Sequence, residues 1–150
     1  MEHKLMEWKA AAAAVISVAG AFLGWRGILV LTWVALMGLD YLTGSLAAIK
    51  QGAWSSARAR EGIWHKAGAV LVAAVAGITD GIMLVLCGNI PVLNMDWPEL
   101  LLPLILAWYI LTELGSILEN AVVLGANPPG WLLRALETGK KAVEDAGETA

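Results

Sequence analysis

The 150-residue chain is 59% hydrophobic and only 15% charged, with a mean hydropathy of +0.69 and a formal net charge of −3. A soluble domain of this length has too little interior to hide so much apolar surface, so a water-soluble globule is excluded and lipid is the solvent. The small net charge, without a basic stripe, excludes a nucleic-acid partner. The single cysteine, Cys87, excludes a disulfide framework and reads as a packing residue.

Four runs are uncharged or nearly so: residues 10–25, 28–49, 67–88 and 100–126. As helices the first reaches about 24 Å and the others about 33 Å or more, against a hydrocarbon layer of about 30 Å. The pattern predicts an all-α membrane protein, a bundle of four transmembrane helices. The first is short and forms a hairpin with the second, and a short amphipathic helix closes the C-terminus. Residues 1–126 form the membrane domain, and 127–150 a cytoplasmic surface helix with a flexible tail.

The first run follows Lys4 and Lys9, and Ala19-Gly20-Ala21 has the look of a signal-peptidase site. Only Arg26 and Gly27 separate it from the second run, which a helical hairpin explains better than cleavage. The second run carries Asp40, with Thr43 and Gly44 following at i+3 and i+4 on the same small, polar face. In the basic segment Lys50–Lys66, a turn is expected at Gly52. Ser55 or Ser56 then caps a helix that continues into the third run.

The third run has small residues at i+4 spacing, Ala69, Ala73, Gly77 and Gly81, beside Asp80. Such a stripe lets helix backbones meet closely in lipid, within one chain or between subunits. The segment that follows contains Pro91 and Pro98, which keep it irregular. On the fourth run Tyr109, Thr112, Glu113, Ser116, Glu119 and Asn120 fall within roughly a 120° sector, with leucines occupying much of the remainder. That sector faces a bundle interior or water. Asn127-Pro128-Pro129-Gly130 stops the helix, and Trp131, Leu132, Leu133 and Leu136 suit a short helix on the membrane surface. From Gly139 the charged, small-residue-rich tail reads as disordered.

Charge sets the expected orientation. With four spans and both termini in the cytoplasm, Lys4, Lys9, Lys50, Arg58, Arg60, Lys66, Arg134, Lys140 and Lys141 lie inside and only Arg26 outside. Trp8, Trp25, Trp54, Trp64, Trp97 and Trp131 lie at or near segment ends, as interfacial anchors do, whereas Trp33 and Trp108 read as packing residues. In this scheme every Lys and Arg falls in a terminus or a connection. Asp40, Asp80, Glu113 and Glu119 are then left in spans with no cation, and each would cost roughly 2.5–3.5 kcal/mol facing lipid. They are expected protonated, packed against other subunits or facing water, so the chain is expected to assemble with itself around something wet. Asp40 and Glu113, at comparable depths, are expected to share a site.

The sequence offers no nucleophile beside a base and no phosphate-cradling loop, and its two histidines, His3 and His65, have no partner at metal spacing. No enzymatic activity, metal or cofactor is expected.

Leu39-Asp40-Tyr41-Leu42-Thr43-Gly44, the basic segment with Ser55-Ser56, Gly62-Ile63 and Lys66, and the stretch Trp108 to Asn120 follow one another in order. Gly125, Pro128 and Leu136 complete the set. From roughly Gly24 to Glu137 the chain resembles the phage lysis and toxin-secretion holin family, departing at Ala59, where the family often has Gly. The resemblance implies a multi-pass protein of the bacterial host's cytoplasmic membrane that oligomerises into lesions. These release a cell-wall hydrolase, functionally coupled without necessary direct binding, and so time lysis. Two other classes fit parts of the pattern. One is a small integral-membrane lipid kinase, whose carboxylates would hold magnesium and nucleotide. The other is a proton-linked carrier or ion channel.

Overall fold

A computed structural model describes the backbone of residues 2–93 and 95–149, and the side chains of Met6 and of 24–93 and 95–149. The described residues are helical, with no strand: α1 (Glu2–Lys50), α2 (Ser56–Asn89), α3 (Leu101–Leu124) and α4 (Gly130–Thr149), with a single 3₁₀ turn at Pro91–Leu93. Among the described residues three stretches are long and apolar enough to cross a membrane: Gly24–Lys50, Ser56–Asn89 and Leu101–Leu124. The side chains of most of the expected first span, 10–25, lie outside the described residues. The C-terminal helix, α4, is not an apolar span, so the described residues supply three membrane-length helices of the four-span bundle that the sequence predicts.

Local chemistry sets the helix boundaries. α1 is interrupted at Gly24, whose φ of 64° and ψ of −172° are strained for any residue with a Cβ. The interruption falls ahead of the Arg26-Gly27 turn expected from sequence, and Gly27 is helical. At its far end α1 closes in a Schellman motif. Ala53 N–H donates to Ala48 C=O and Gly52 N–H to Ile49 C=O, with Gly52 at φ 64°. α3 ends the same way through Ala126 to Ala121 and Gly125 to Val122, with Gly125 at φ 107°. α3 therefore stops before the prolines, which prevent it from resuming. α2 starts on Ser55, whose hydroxyl accepts from Arg58 N–H at 3.2 Å, the cap expected from sequence.

α3 is the hub. It packs on α1, α2 and α4, whereas α1 and α2 scarcely touch each other. Trp33, Ala69, Ala73 and Leu106 form the buried core, with Leu29, Met37, Leu102, Ile105, Tyr109 and Ile110 against it. Trp33 stacks on Tyr109 with ring centroids 5.2 Å apart and planes 17° apart. Such a pair contributes about 0.5–1.5 kcal/mol beyond its area. Leu42, Ile49, Leu71, Val75, Ile78 and Val85 remain exposed on the outer faces, as lipid-facing residues should.

The C-terminal segment departs most from expectation. The sequence ends the last helix near Leu136 and frees the tail from Gly139, but α4 continues to Thr149. It does not lie apart from the bundle: it packs on α3. A Cβ on Gly139 would meet Leu111 at 3.5 Å, Lys140 Nζ lies 4.3 Å from the Trp108 ring centre, and Trp108 Nε1 donates to Glu144 at 2.9 Å. These contacts, together with the periodicity of Leu132, Leu136 and Val143, order the tail against a partner that composition does not reveal.

Candidate functional site

The bundle has two ends. One carries Lys50, Arg58 and Arg60 and is called the basic end; the other carries Arg26 and the connection between α2 and α3. About 15 Å into α2 from the basic end, Lys66 projects between α1 and α3. Its ammonium donates to Asp40 Oδ2 at 2.9 Å and to Glu113 Oε2 at 2.6 Å. Asp40 Oδ1 accepts from Asn120 Nδ2 at 3.0 Å, and the same amide nitrogen donates to Thr43 Oγ1 at 3.2 Å. Gly44 lies beside this pair: a Cβ there would be in van der Waals contact with Asn120 Nδ2, at 3.5 Å. One cluster thus ties together all three membrane-length helices.

Two anions and one cation leave a formal charge of +1 − 2 = −1. Desolvating such a group is costly unless the geometry is close and the remaining lone pairs are served. Hydrogen bonds satisfy Asp40 through both oxygens. A cavity of about 230 Å³ lined by Asp40, Tyr41, Gly44, Trp54, Arg58 and Lys66 lies beside the cluster, toward the basic end. The Lys66 and Asp40 side chains keep 20% and 19% of their surface, enough for partial hydration.

For Asp40 and Glu113 this corrects the expectation of no cation within the spans. Lys66 was assigned to a connection, but α2 begins at Ser56 and carries it inside the bundle. The available signal was the Ser55 cap: a helix starting there must run through Lys66. Asp40 and Glu113, expected to share a site, meet through that lysine.

Asp80 lies elsewhere and does different work. It is 5% exposed, and Oδ1 accepts from Trp97 Nε1 at 3.0 Å and Leu101 N–H at 3.3 Å. Oδ2 accepts from Leu102 N–H at 2.9 Å. α3 has no local side-chain cap at Leu100, so a carboxylate from α2 serves its orphan donors. Anions at a helix N-terminus also complement the helix dipole. Arg26 pairs with Glu99 at this same end and pins the connection, where Glu99 adopts a φ of 50°.

The expected polar sector of α3 is divided. Tyr109 is in the core, Glu113 and Asn120 are in the cluster, and the Thr112 hydroxyl donates to Trp108 C=O at 2.9 Å. Ser116 is half-buried, and Glu119 is exposed. The small-residue stripe divides as well. Ala69 and Ala73 are core residues, and Gly77 faces Leu102, 3.4 Å from where its Cβ would lie. Gly81 has nothing within 4 Å. Gly77→Leu should therefore disrupt packing of α2 on α3 and lower thermal stability by about 1–3 kcal/mol as overpacking does. Gly81→Leu should leave monomer stability unchanged, which unfolding of the purified protein in detergent would check. Equal destabilisation by both would contradict the division.

Among the described residues no three His, Cys, Asp or Glu side chains gather as metal ligands. The polar groups of the described bundle form a structural ion cluster and a helix cap. A family model described as the bacteriophage holin family matches residues 17–141. Comparison with curated proteins and with solved structures gave no match.

Proposed function

The chain belongs to the bacteriophage holin family, and from that membership we propose that it oligomerises in the host's cytoplasmic membrane into lesions. These lesions release a cell-wall hydrolase and set the time of lysis. The observation that carries this reading is a membrane-length bundle whose polar groups hold its helices together. The basic end faces the cytoplasm, in accord with the distribution of Lys and Arg. Within a subunit, Asp40, Thr43, Glu113 and Asn120 fix the arrangement of the spans around Lys66, while Asp80 fixes the start of α3. Gly81 offers neighbouring subunits a close approach. Ser116 and Glu119 form the polar edge of α3 that meets water in the assembly. Membrane lipids and further copies of the chain are its partners, and the hydrolase depends on the lesion without binding the subunit.

Expression in a bacterium should kill abruptly after a delay, with loss of membrane potential, and a co-expressed cytoplasmic endolysin should then lyse the cells. Gradual growth inhibition without depolarisation, at normal accumulation, would sink the reading. Glu113→Gln keeps shape and hydrogen bonding but removes one of the two charges held by Lys66. It should delay or abolish lysis with membrane insertion intact, and Glu113→Leu should be at least as damaging. Lysis on the wild-type schedule by both Glu113→Leu and Glu119→Leu, at matched protein levels, would remove α3's polar residues from the mechanism.

A further inference from the structure

α4 runs back along α3, antiparallel to it. Gly130 follows directly on the turn that ends α3, Gly139 reaches Leu111, and Glu144 reaches Trp108. At 1.5 Å per residue, Trp108 lies about 24 Å from the basic end of α3. A helix that touches it there stands beside the hydrocarbon layer and not on its surface.

The two faces of α4 differ sharply. Leu132, Leu136, Gly139 and Val143 are half-buried on the side toward α3. Arg134, Glu137, Thr138, Lys141, Asp145 and Glu148 are all exposed, and they fall within a sector of about 100° on the opposite side. Five of those six are charged. With lipid outside α4, these charges would face hydrocarbon with no partner, an arrangement that membrane proteins do not sustain. Lipid on the outer side of α4 is thereby excluded, and mixed, exposed charges spread over so wide a sector suit water there better than a packed subunit face, where each would need a matched partner. Glu119 adds a second observation: it is exposed and eleven residues from Trp108, so close to three turns place it on the same line of α3. The polar edge of α3 left open by α1 and α2 therefore runs beside α4.

We infer that docked α4 is the wall of the aqueous lesion, lining its lumen with Arg134, Glu137, Lys141, Asp145 and Glu148. The inference rests on the lesion-forming function proposed above. Before the lesion opens, no water reaches that side of α3, and α4 lies at the cytoplasmic surface with its apolar face in the interface. Opening supplies the water, and Trp108 then receives Lys140 on its ring and Glu144 at its N–H. The mixed signs of the lining residues suit passage of large, chemically varied cargo without strong ion selection.

The test uses the full-length chain with Cys87→Ala and one of two cysteine pairs, Leu111→Cys with Gly139→Cys or Trp108→Cys with Glu144→Cys. Cells receive a short, membrane-permeant bifunctional thiol reagent before and after the abrupt loss of potential, and bridged peptides are quantified by mass spectrometry. If docking goes from a minor state, about 0.1–10%, to the main one, the bridge should rise about tenfold or more on depolarisation. Equal bridging before and after, or no bridge in either pair while cells depolarise and lyse, overturns the inference and leaves the lesion reading standing. Failure of the wild-type chain to depolarise cells would instead overturn the lesion reading, and the inference with it.

Discussion

Lys66→Met is expected to be the most damaging single substitution in the chain. It removes the one cation at the junction of three helices and leaves Asp40 and Glu113 facing each other with only Asn120 in support. Breaking a buried ion pair from one side costs about 3–5 kcal/mol, because the uncompensated charge remains desolvated. The 20% exposure of the Lys66 side chain places the loss toward the lower figure. The variant should unfold at lower temperature in detergent, accumulate poorly and fail to support lysis. Combining it with Asp40→Asn and Glu113→Gln should recover most of the stability, since three neutral groups need no cation. A triple variant no more stable than Lys66→Met would mean that the lysine acts through packing of its stem and not through charge.

The second large effect is expected from Asp80→Ala, at the opposite end of the bundle. The substitution leaves the Trp97 indole N–H and the Leu101 and Leu102 amides without their acceptor. Hydrogen bonds to a charged group contribute about 1.5–3 kcal/mol each, but the freed donors recover part of this from water near the helix start. A net loss of about 2–3 kcal/mol is expected, with fraying of the first turn of α3. Hydrogen exchange at Leu101 and Leu102 is the direct measurement. Asp80→Asn, which keeps one acceptor oxygen, should lose about half as much. Unchanged protection of those amides in the alanine variant would show that α3 starts without help from α2.

These two sites show what a sequence discloses and what it withholds. The membrane class, the three long spans, the Ser55 cap and the turn at Gly52 follow from local composition and capping chemistry, which act over a few residues. The common location of Asp40 and Glu113 was accessible from depth alone. Lys66 is harder to read: the Ser55 cap places it in a helix, but only its partners on α1 and α3 show that this part of the helix lies inside the bundle and not in a connection. Asp80 looked like one more lipid-averse acid because its partners are backbone amides, which every residue has and no pattern singles out. The order in the tail was hidden for a related reason. Gly139 and Gly147 in a charged segment signal disorder, and the surface offered by Trp108 and Leu111, which favours a helix there, is distant in sequence.

The hub position of α3 has a consequence in the time dimension of synthesis. Among the described residues α1 and α2 scarcely touch each other, so in a chain elongated only as far as Asn89 the described core still lacks its α3 half. Trp33 awaits Tyr109 and Leu106, Asp80 awaits the amides of Leu101 and Leu102, and Lys66 holds Asp40 alone until Glu113 and Asn120 emerge. At about 5–20 residues per second, translation from Met1 to the end of α3 takes roughly 6–25 s. Until α3 is added, the nascent protein holds at most these two helices in lipid. The third membrane-length helix turns them into a folded subunit, so a chain interrupted before α3 is expected to insert its helices without forming that subunit.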